Sequence, residues 1–312
     1  MPSVAAFYRF APLPEPAARR APLLYRATAG GVRGSVLLAP EGVNGTVAGP
    51  REAVEAVVGH IRAWPGFEGM RVRWSRAETM PFGRLKVRLK REIVTMGAPG
   101  LGSPEPGGAG HRAGPGRYVV AADWNAVLRD PDTVTIDTRN AYEVAIGSFA
   151  GAVDPGTAAF GDFPAWWRAQ GDRFAGKRIA MFCTGGIRCE KATAFLRGAG
   201  VADVVHLEGG ILSYLAETPE AESLWRGGCF VFDDRVALGH GLTPTGHRLC
   251  HGCRHPLRPG DEVDPRYEAG VACPRCAARQ TDVETARHRE RRRQVEIAAA
   301  RGHRHLGPTG AA

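Results

Sequence analysis

The chain has 312 residues, 44% of them apolar, and a formal net charge of +9, enough for two or three domains with ordinary hydrophobic cores. No uninterrupted apolar run approaches the ~20 residues of a membrane span, and the N-terminus MPSVAAFYRFAPLPEP lacks the apolar centre of a signal peptide, so the expectation is a cytoplasmic protein with no membrane segment. In that compartment the seven cysteines read as reduced thiols for catalysis or metal binding rather than as disulfides.

Residues 1–96 read as strand (Val4 to Phe10), helix (Glu15 to Ala29), strand (Ser35 to Ala39), turn and strand (Glu41 to Ala48), helix (Arg51 to Trp64), then further strands. Val54, Val57, Val58 and Ile61 form a stripe at helical spacing that suits packing on a sheet. The order predicts a ferredoxin-like α+β domain. The step Asn44-Gly45 inside Glu41-Gly42-Val43-Asn44-Gly45-Thr46 is a hairpin signal. Fifteen Lys or Arg stand against seven Glu in residues 1–96, most of the chain's charge excess. In Arg84-Leu85-Lys86-Val87-Arg88-Leu89-Lys90 the alternation places Arg84, Lys86, Arg88 and Lys90 on one face of a strand and three apolar residues on the other. Such a face suits a phosphate backbone; it equally suits a solvated edge guarded by cations.

From Gly97 to Gly116, twelve of twenty residues are Gly or Pro, and a linker is expected over 97–117. Residues 118–222 alternate strand and helix patterns, predicting a parallel α/β domain. There the apolar run Arg178 to Phe182 reads as a buried strand, and the segment after Arg188 as a helix. Cys183, Thr184, Gly185, Gly186, Ile187 and Arg188 form the turn between them, where inward backbone N–H groups, a helix start and the Arg188 cation favour a thiolate. A cysteine, four residues and an arginine resemble the active loop of the rhodanese family; related phosphatases have one residue more. The segment Asp137-Thr138-Arg139-Asn140-Ala141-Tyr142-Glu143 and then Gly147-Ser148-Phe149 resembles the block before that loop, with Asp137, Arg139 and Glu143 as supporting residues. His206-Leu207-Glu208-Gly209-Gly210-Ile211 resembles the block after it. Cys189 is either a resolving thiol for an oxidised Cys183 or a packed cysteine at the helix start.

In residues 223–280 the pairs Cys250-His251-Gly252-Cys253 and Cys273-Pro274-Arg275-Cys276 are separated by nineteen residues. Cys250, Cys253, Cys273 and Cys276 suit a structural tetrahedral zinc, four protein ligands leaving no open position; a redox dithiol pair or an iron–sulfur cluster are the alternatives. His251 and His255 read as bystanders. Residues 281–312 are a basic tail, partly disordered at Gly307 to Ala312, either touching nucleic acid or solvated.

The blocks EGVNGTVAG and PFGRLKVRLKREIVTMG, the central CTGGIRCEKA and the paired C-terminal cysteines together resemble the tRNA uridine hydroxylase family over about residues 4–280. The resemblance implies oxygen-dependent hydroxylation at carbon 5 of the wobble uridine, with the tRNA anticodon region as partner, molecular oxygen as co-substrate, an electron donor that no motif names, and Cys183 as the active-site residue. The same loop would serve a thiosulfate-type sulfurtransferase forming a persulfide on Cys183, and a non-catalytic tRNA adaptor is a third reading.

Overall fold

The computed structural model of the chain describes residues 1–101, 114–258 and 260–302. Most of the expected linker and the segment Gly307 to Ala312 lie outside these residues. The N-terminal domain runs β1 (Ser3–Phe10), α1 (Pro16–Ala29), β2 (Arg33–Ala39), β3 (Gly42–Gly49), α2 (Arg51–Arg62), β4 (Val72–Arg76) and β5 (Leu85–Leu89). Its sheet order is β4-β1-β3-β2-β5, the ferredoxin-like arrangement with β5 added parallel to β2 at one edge. The stripe on α2 is buried against Phe7, Val36, Leu38 and Val47 of the sheet, each such side chain contributing about 1.5–3 kcal/mol. One local expectation is corrected. The hairpin turn is Pro40-Glu41, closed by the pair Ala39 and Gly42, because proline presets a turn conformation. Asn44 and Gly45 lie within β3, opposite Tyr8 and Phe7 of β1.

The second domain follows as β6 (Arg117–Val119), α3 (Ala121–Arg129), β7 (Thr133–Asp137), α4 (Ala141–Val144), β8 (Gly147–Phe149), α5 (Phe163–Gln170), β9 (Arg178–Phe182), α6 (Ile187–Gly198), β10 (Val204–Leu207) and α7 (Gly210–Glu217). The parallel sheet is ordered β6-β10-β9-β7, so β9 ends in the middle of the sheet. Ligands of open α/β sheets bind at such carboxyl ends. β11 (Trp225–Gly227) pairs with β8, continuing this domain beyond residue 222. The remaining C-terminal region is built on short strands and ends in α8 (Asp282–Ala300), whose start is capped by Thr281 and Glu284. That helix packs on the cysteine region through a bidentate Arg289–Glu268 pair, with Nε–Oε1 at 2.8 Å and Nη2–Oε2 at 2.7 Å. No helix among the described residues is long and apolar enough to cross a membrane.

Candidate active site and metal centre

The turn after β9 holds its sulfur through backbone. The Gly186 N–H donates to Cys183 Sγ at 3.1 Å, and Gly186 itself stands at φ 97°, a conformation that glycine adopts without penalty. The Cys183 and Thr184 carbonyls accept from Ile211 N–H (2.9 Å) and Leu212 N–H (3.1 Å). This is what the block after the loop does. Gly210 has a positive φ, and a Cβ there would stand 2.4 Å from the Cys183 carbonyl oxygen, so any other residue would force the loop away. Burial alone would raise the Cys183 thiol. The Cys189 thiol, the Arg188 charge and the Cys189 and Arg188 N–H groups outweigh burial and bring it down from the ordinary 9.0 to about 5. Cys189 moves the opposite way, raised first by burial and then by the hydrogen bond it gives to Cys183. Thr138 Oγ1 lies 3.5 Å from Cys189 Sγ on its other side.

Arg188 reaches the loop from behind. Its Nη1 and Nη2 donate to Glu143 Oε1 and Oε2 at 2.6 and 2.7 Å, and Nη2 also donates to Thr184 Oγ1 at 3.3 Å. Burial would raise the Glu143 carboxyl; Arg188 and then Arg139 hold it below the ordinary 4.5. The Arg139 side chain is fully buried and clamps Asp137, Nε–Oδ1 at 2.9 Å and Nη2–Oδ2 at 2.6 Å, under the Trp225 ring. Asp137, Arg139 and Glu143 therefore fix the loop and its arginine from below. Thr184, Gly185, Ile187 and Arg188 line the same cavity as Cys183.

That cavity, of about 1430 Å³, lies between the loop and the helix-free face of the N-terminal sheet. Tyr8, Ser35, Leu37, Asn44 and Thr46 form its sheet wall, with Arg71 and Arg73 at one edge and Lys90 at the other. Arg71 pairs with Glu208 and Arg73 hydrogen-bonds Ser213, both in the second domain. Lys86 and Arg88 of β5 are the register partners of Ser35 and Leu37 in β2, so they share the cavity face and extend it along the sheet edge. Arg84, Arg88 and Lys90 are exposed and Lys86 is half-buried; partial desolvation, then Arg84, Arg88 and Arg254, lower the Lys86 pKa. On the opposite face of β5 Val87 is buried and Leu85 half-buried, but Leu89 remains 46% exposed, as an edge position permits.

Sequence reading misses several residues that the domain contact brings to the loop. Tyr8 Oη donates to Glu190 Oε1 at 2.8 Å, and Tyr118 is a second hydrogen-bond partner of Glu190. The Tyr118 ring lies 4.3 Å from that of His206, whose nitrogens have no hydrogen-bond partner among the described residues and whose pKa burial lowers to about 4. Lys191, fully buried, bonds Glu41 Oε1 at 2.8 Å and Glu92 Oε2 at 2.6 Å across the domain boundary. Glu41 accepts from Ile93 N–H (2.7 Å) and Gly100 N–H (2.9 Å), and Glu92 from Met96 and Gly97 N–H, both at 3.1 Å. The signal available in the sequence was that Glu41 and Glu92 lie in the blocks EGVNGTVAG and PFGRLKVRLKREIVTMG, which carry the family resemblance.

Cys250, Cys253, Cys273 and Cys276 come together with all sulfurs within 4.8 Å of one another. The separations Cys250–Cys276 (3.8 Å), Cys253–Cys273 (3.7 Å) and Cys273–Cys276 (3.8 Å) match the roughly 3.8 Å that Zn–S bonds of about 2.3 Å give in a tetrahedron. The donor set therefore fits zinc. Gln280 Nε2 and the Cys273 N–H donate to Cys276 Sγ at 3.2 and 3.3 Å, the support that thiolate ligands usually receive. His251 and His255 are not in the cluster.

Fold and site define a multidomain α/β protein, with a ferredoxin-like domain, a parallel α/β domain carrying the cysteine loop and a C-terminal cysteine cluster. Residues 2–93 match the UPF0176 acylphosphatase like domain and residues 121–217 the rhodanese-like domain. The chain is 57% identical to the tRNA uridine(34) hydroxylase of Jannaschia sp. (strain CCS1), covering 97% of this chain and 98% of that protein. It is 52% identical to that of Roseobacter denitrificans (96% and 98% covered) and 53% identical to that of Mesorhizobium japonicum (97% and 96%). The chain belongs to the tRNA uridine(34) hydroxylase family.

Proposed function

We propose that this protein is an oxidoreductase that hydroxylates the wobble uridine of tRNA, at carbon 5 and with molecular oxygen, through the Cys183 thiolate. The observation that carries the reading is one cavity lined both by Cys183, whose thiol is brought down to about 5, and by Arg71, Arg73 and Lys90 of the N-terminal domain, with Lys86 and Arg88 continuing that face along the sheet edge. The sheet edge at Arg84, Lys86, Arg88 and Lys90 holds the anticodon backbone electrostatically, and the wobble base, unpaired in free tRNA, enters the cavity without the cost of opening a duplex. Cys183 adds to carbon 6, which makes carbon 5 electron-rich. One oxygen atom of O2 joins carbon 5; the other leaves as water, with two electrons and two protons from a donor outside the chain. Expulsion of Cys183 returns the aromatic product, 5-hydroxyuridine. Arg188, held by Glu143, keeps positive charge beneath the sulfur throughout, and Cys189 donates to the departing thiolate. If Cys183 is oxidised to a sulfenic acid, the Cys189 thiol condenses with it, releasing water and forming a disulfide. Zinc on the four C-terminal cysteines supplies a cross-link for that region and takes no part in the steps.

The test is mass spectrometry of tRNA nucleosides from cells lacking the protein, complemented with the native chain or Cys183→Ala, with and without oxygen. Return of 5-hydroxyuridine only with native protein and oxygen is the expected result. An unchanged nucleoside profile sinks it, and sulfur transfer from thiosulfate through a Cys183 persulfide becomes the leading reading.

A further inference from the structure

The elimination step needs a base, since the carbon-5 hydrogen must leave when Cys183 is expelled. We propose that Glu190 is this base and that Tyr8, delivered by the other domain, positions it; the inference rests on the carbon-6 adduct of the preceding section. Glu190 stands in the first turn of α6 and lines the same cavity as Cys183. Of the other carboxylates in that wall, Glu92 is paired with Lys191, Glu208 with Arg71 and Asp233 with Arg235, while Glu217 is solvent-exposed and acts electrostatically on Arg73. Among the described residues Glu190 has no ion-pair partner. It is held by phenols instead, Tyr8 from β1 at 2.8 Å and Tyr118 from β6. A phenol orients a carboxylate without fixing it as an ion pair, leaving an oxygen able to take a proton.

The arrangement is purchased at some constraint on the chain. Tyr8 Oη lies 2.9 Å from where a Cβ on Gly186 would be, so the tyrosine occupies space beside the loop that only a glycine leaves open. In the oxygenated adduct, carbon 5 carries a hydrogen and a hydroxyl and carbon 6 carries Cys183. Glu190 takes the carbon-5 proton, the C–H electron pair becomes the carbon 5–carbon 6 double bond, and the C–S bond breaks with its electrons on Cys183. The products are neutral Glu190, 5-hydroxyuridine and the Cys183 thiolate, which the Gly186 N–H already solvates. Titratable and charged groups facing the carboxylate are Tyr8 and Arg9 from β1, Tyr118 from β6 and Cys183 from the loop. Burial dominates among them and raises the Glu190 pKa above the ordinary 4.5, which strengthens it as a base.

The experiment uses full-length native protein, Glu190→Gln and Tyr8→Phe with tRNA and with tRNA carrying deuterium at carbon 5 of the wobble uridine. For Glu190→Gln, kcat should fall by about 10²- to 10⁴-fold with KM little changed. A covalent protein–tRNA adduct should accumulate on unlabelled tRNA, and a primary deuterium isotope effect should emerge. For Tyr8→Phe, the rate loss on the acid side should begin at higher pH, because Tyr8 donation lowers the Glu190 pKa. A near-native rate in Glu190→Gln, or a slow variant with neither adduct nor isotope effect, overturns the assignment. Native protein with 5-fluorouridine tRNA separates the two levels. Fluorine cannot leave as a proton, so an adduct through Cys183 must be trapped. No trapped adduct defeats the carbon-6 reading and the base with it, whereas a trapped adduct beside an unaffected Glu190→Gln defeats the base alone.

Discussion

Cysteine stands in two opposite settings in this chain, and the contrast lies in what surrounds each sulfur. Cys183 is a buried residue in the wall of a cavity and receives a backbone N–H, a neighbouring thiol and the field of an arginine. The four C-terminal sulfurs face one another within 4.8 Å, a donor set that would fill a tetrahedral ion and leave no coordination position for substrate. The first setting suits a thiolate that reacts, stabilised by groups that can release it; the second suits thiolates that would hold a metal, in a donor shell that closes on itself.

Exchanging the damage between the two sites tests this most strongly. Cys183→Ser should reduce hydroxylation by on the order of 10⁴-fold or more, as loss of a nucleophile does, while zinc content measured by atomic absorption stays at one per chain. Cys273→Ser should instead release the zinc and expose the C-terminal region to limited proteolysis; a zinc-free native protein would end the structural-metal reading. A smaller effect separates the loop from the cluster through the domain tie. Lys191→Met leaves Glu41 and Glu92 buried without their cation and should cost about 3–5 kcal/mol, seen as a lower midpoint in denaturant, with zinc binding retained. The two sulfur environments also predict a difference in titration. The Cys183 pKa is depressed, so its thiolate should persist as pH falls from 9.0 and disappear only near about 5. This is measurable as a native-minus-Cys183→Ser difference in ultraviolet thiolate absorbance. Cys229, which burial pushes up to about 12, should contribute no thiolate in that window. The smallest effect concerns neither sulfur. Lys86→Glu and Arg88→Glu should each lower the salt dependence of tRNA binding by about one unit of slope, and an unchanged slope would make the sheet edge plain solvated surface.

What could be read from sequence was what local spacing encodes. The strand Arg178–Phe182, the four residues between Cys183 and Arg188 and the two C-x-x-C pairs are each contained in a few residues, and the structure places all of them accordingly. The stripe on α2 and the alternation through Lys86 and Arg88 likewise carry their period with them. Tyr8 and Glu190 did not show, because 182 residues separate them and only domain docking joins them. Lys191 reads as an ordinary surface residue of a helix; its burial depends on two acids roughly a hundred or more positions earlier in the chain. Asn44-Gly45 misled for a related reason. A strong turn dipeptide was outweighed by Pro40 five residues before Gly45 and by strand pairing on both sides of β3.

The Lys191 tie bears on how far the protein can be dissected. Its sequence looks modular, and the rhodanese-like segment invites expression by itself. Severed from Glu41 and Glu92, however, that segment would present an ammonium group shaped for a dry pocket with no acid to meet it, and Glu190 would lose Tyr8 at the same stroke. The excised domain is therefore a poor stand-in for the enzyme: an assay on it would report the behaviour of a loop stripped of the half of its surroundings that another domain provides.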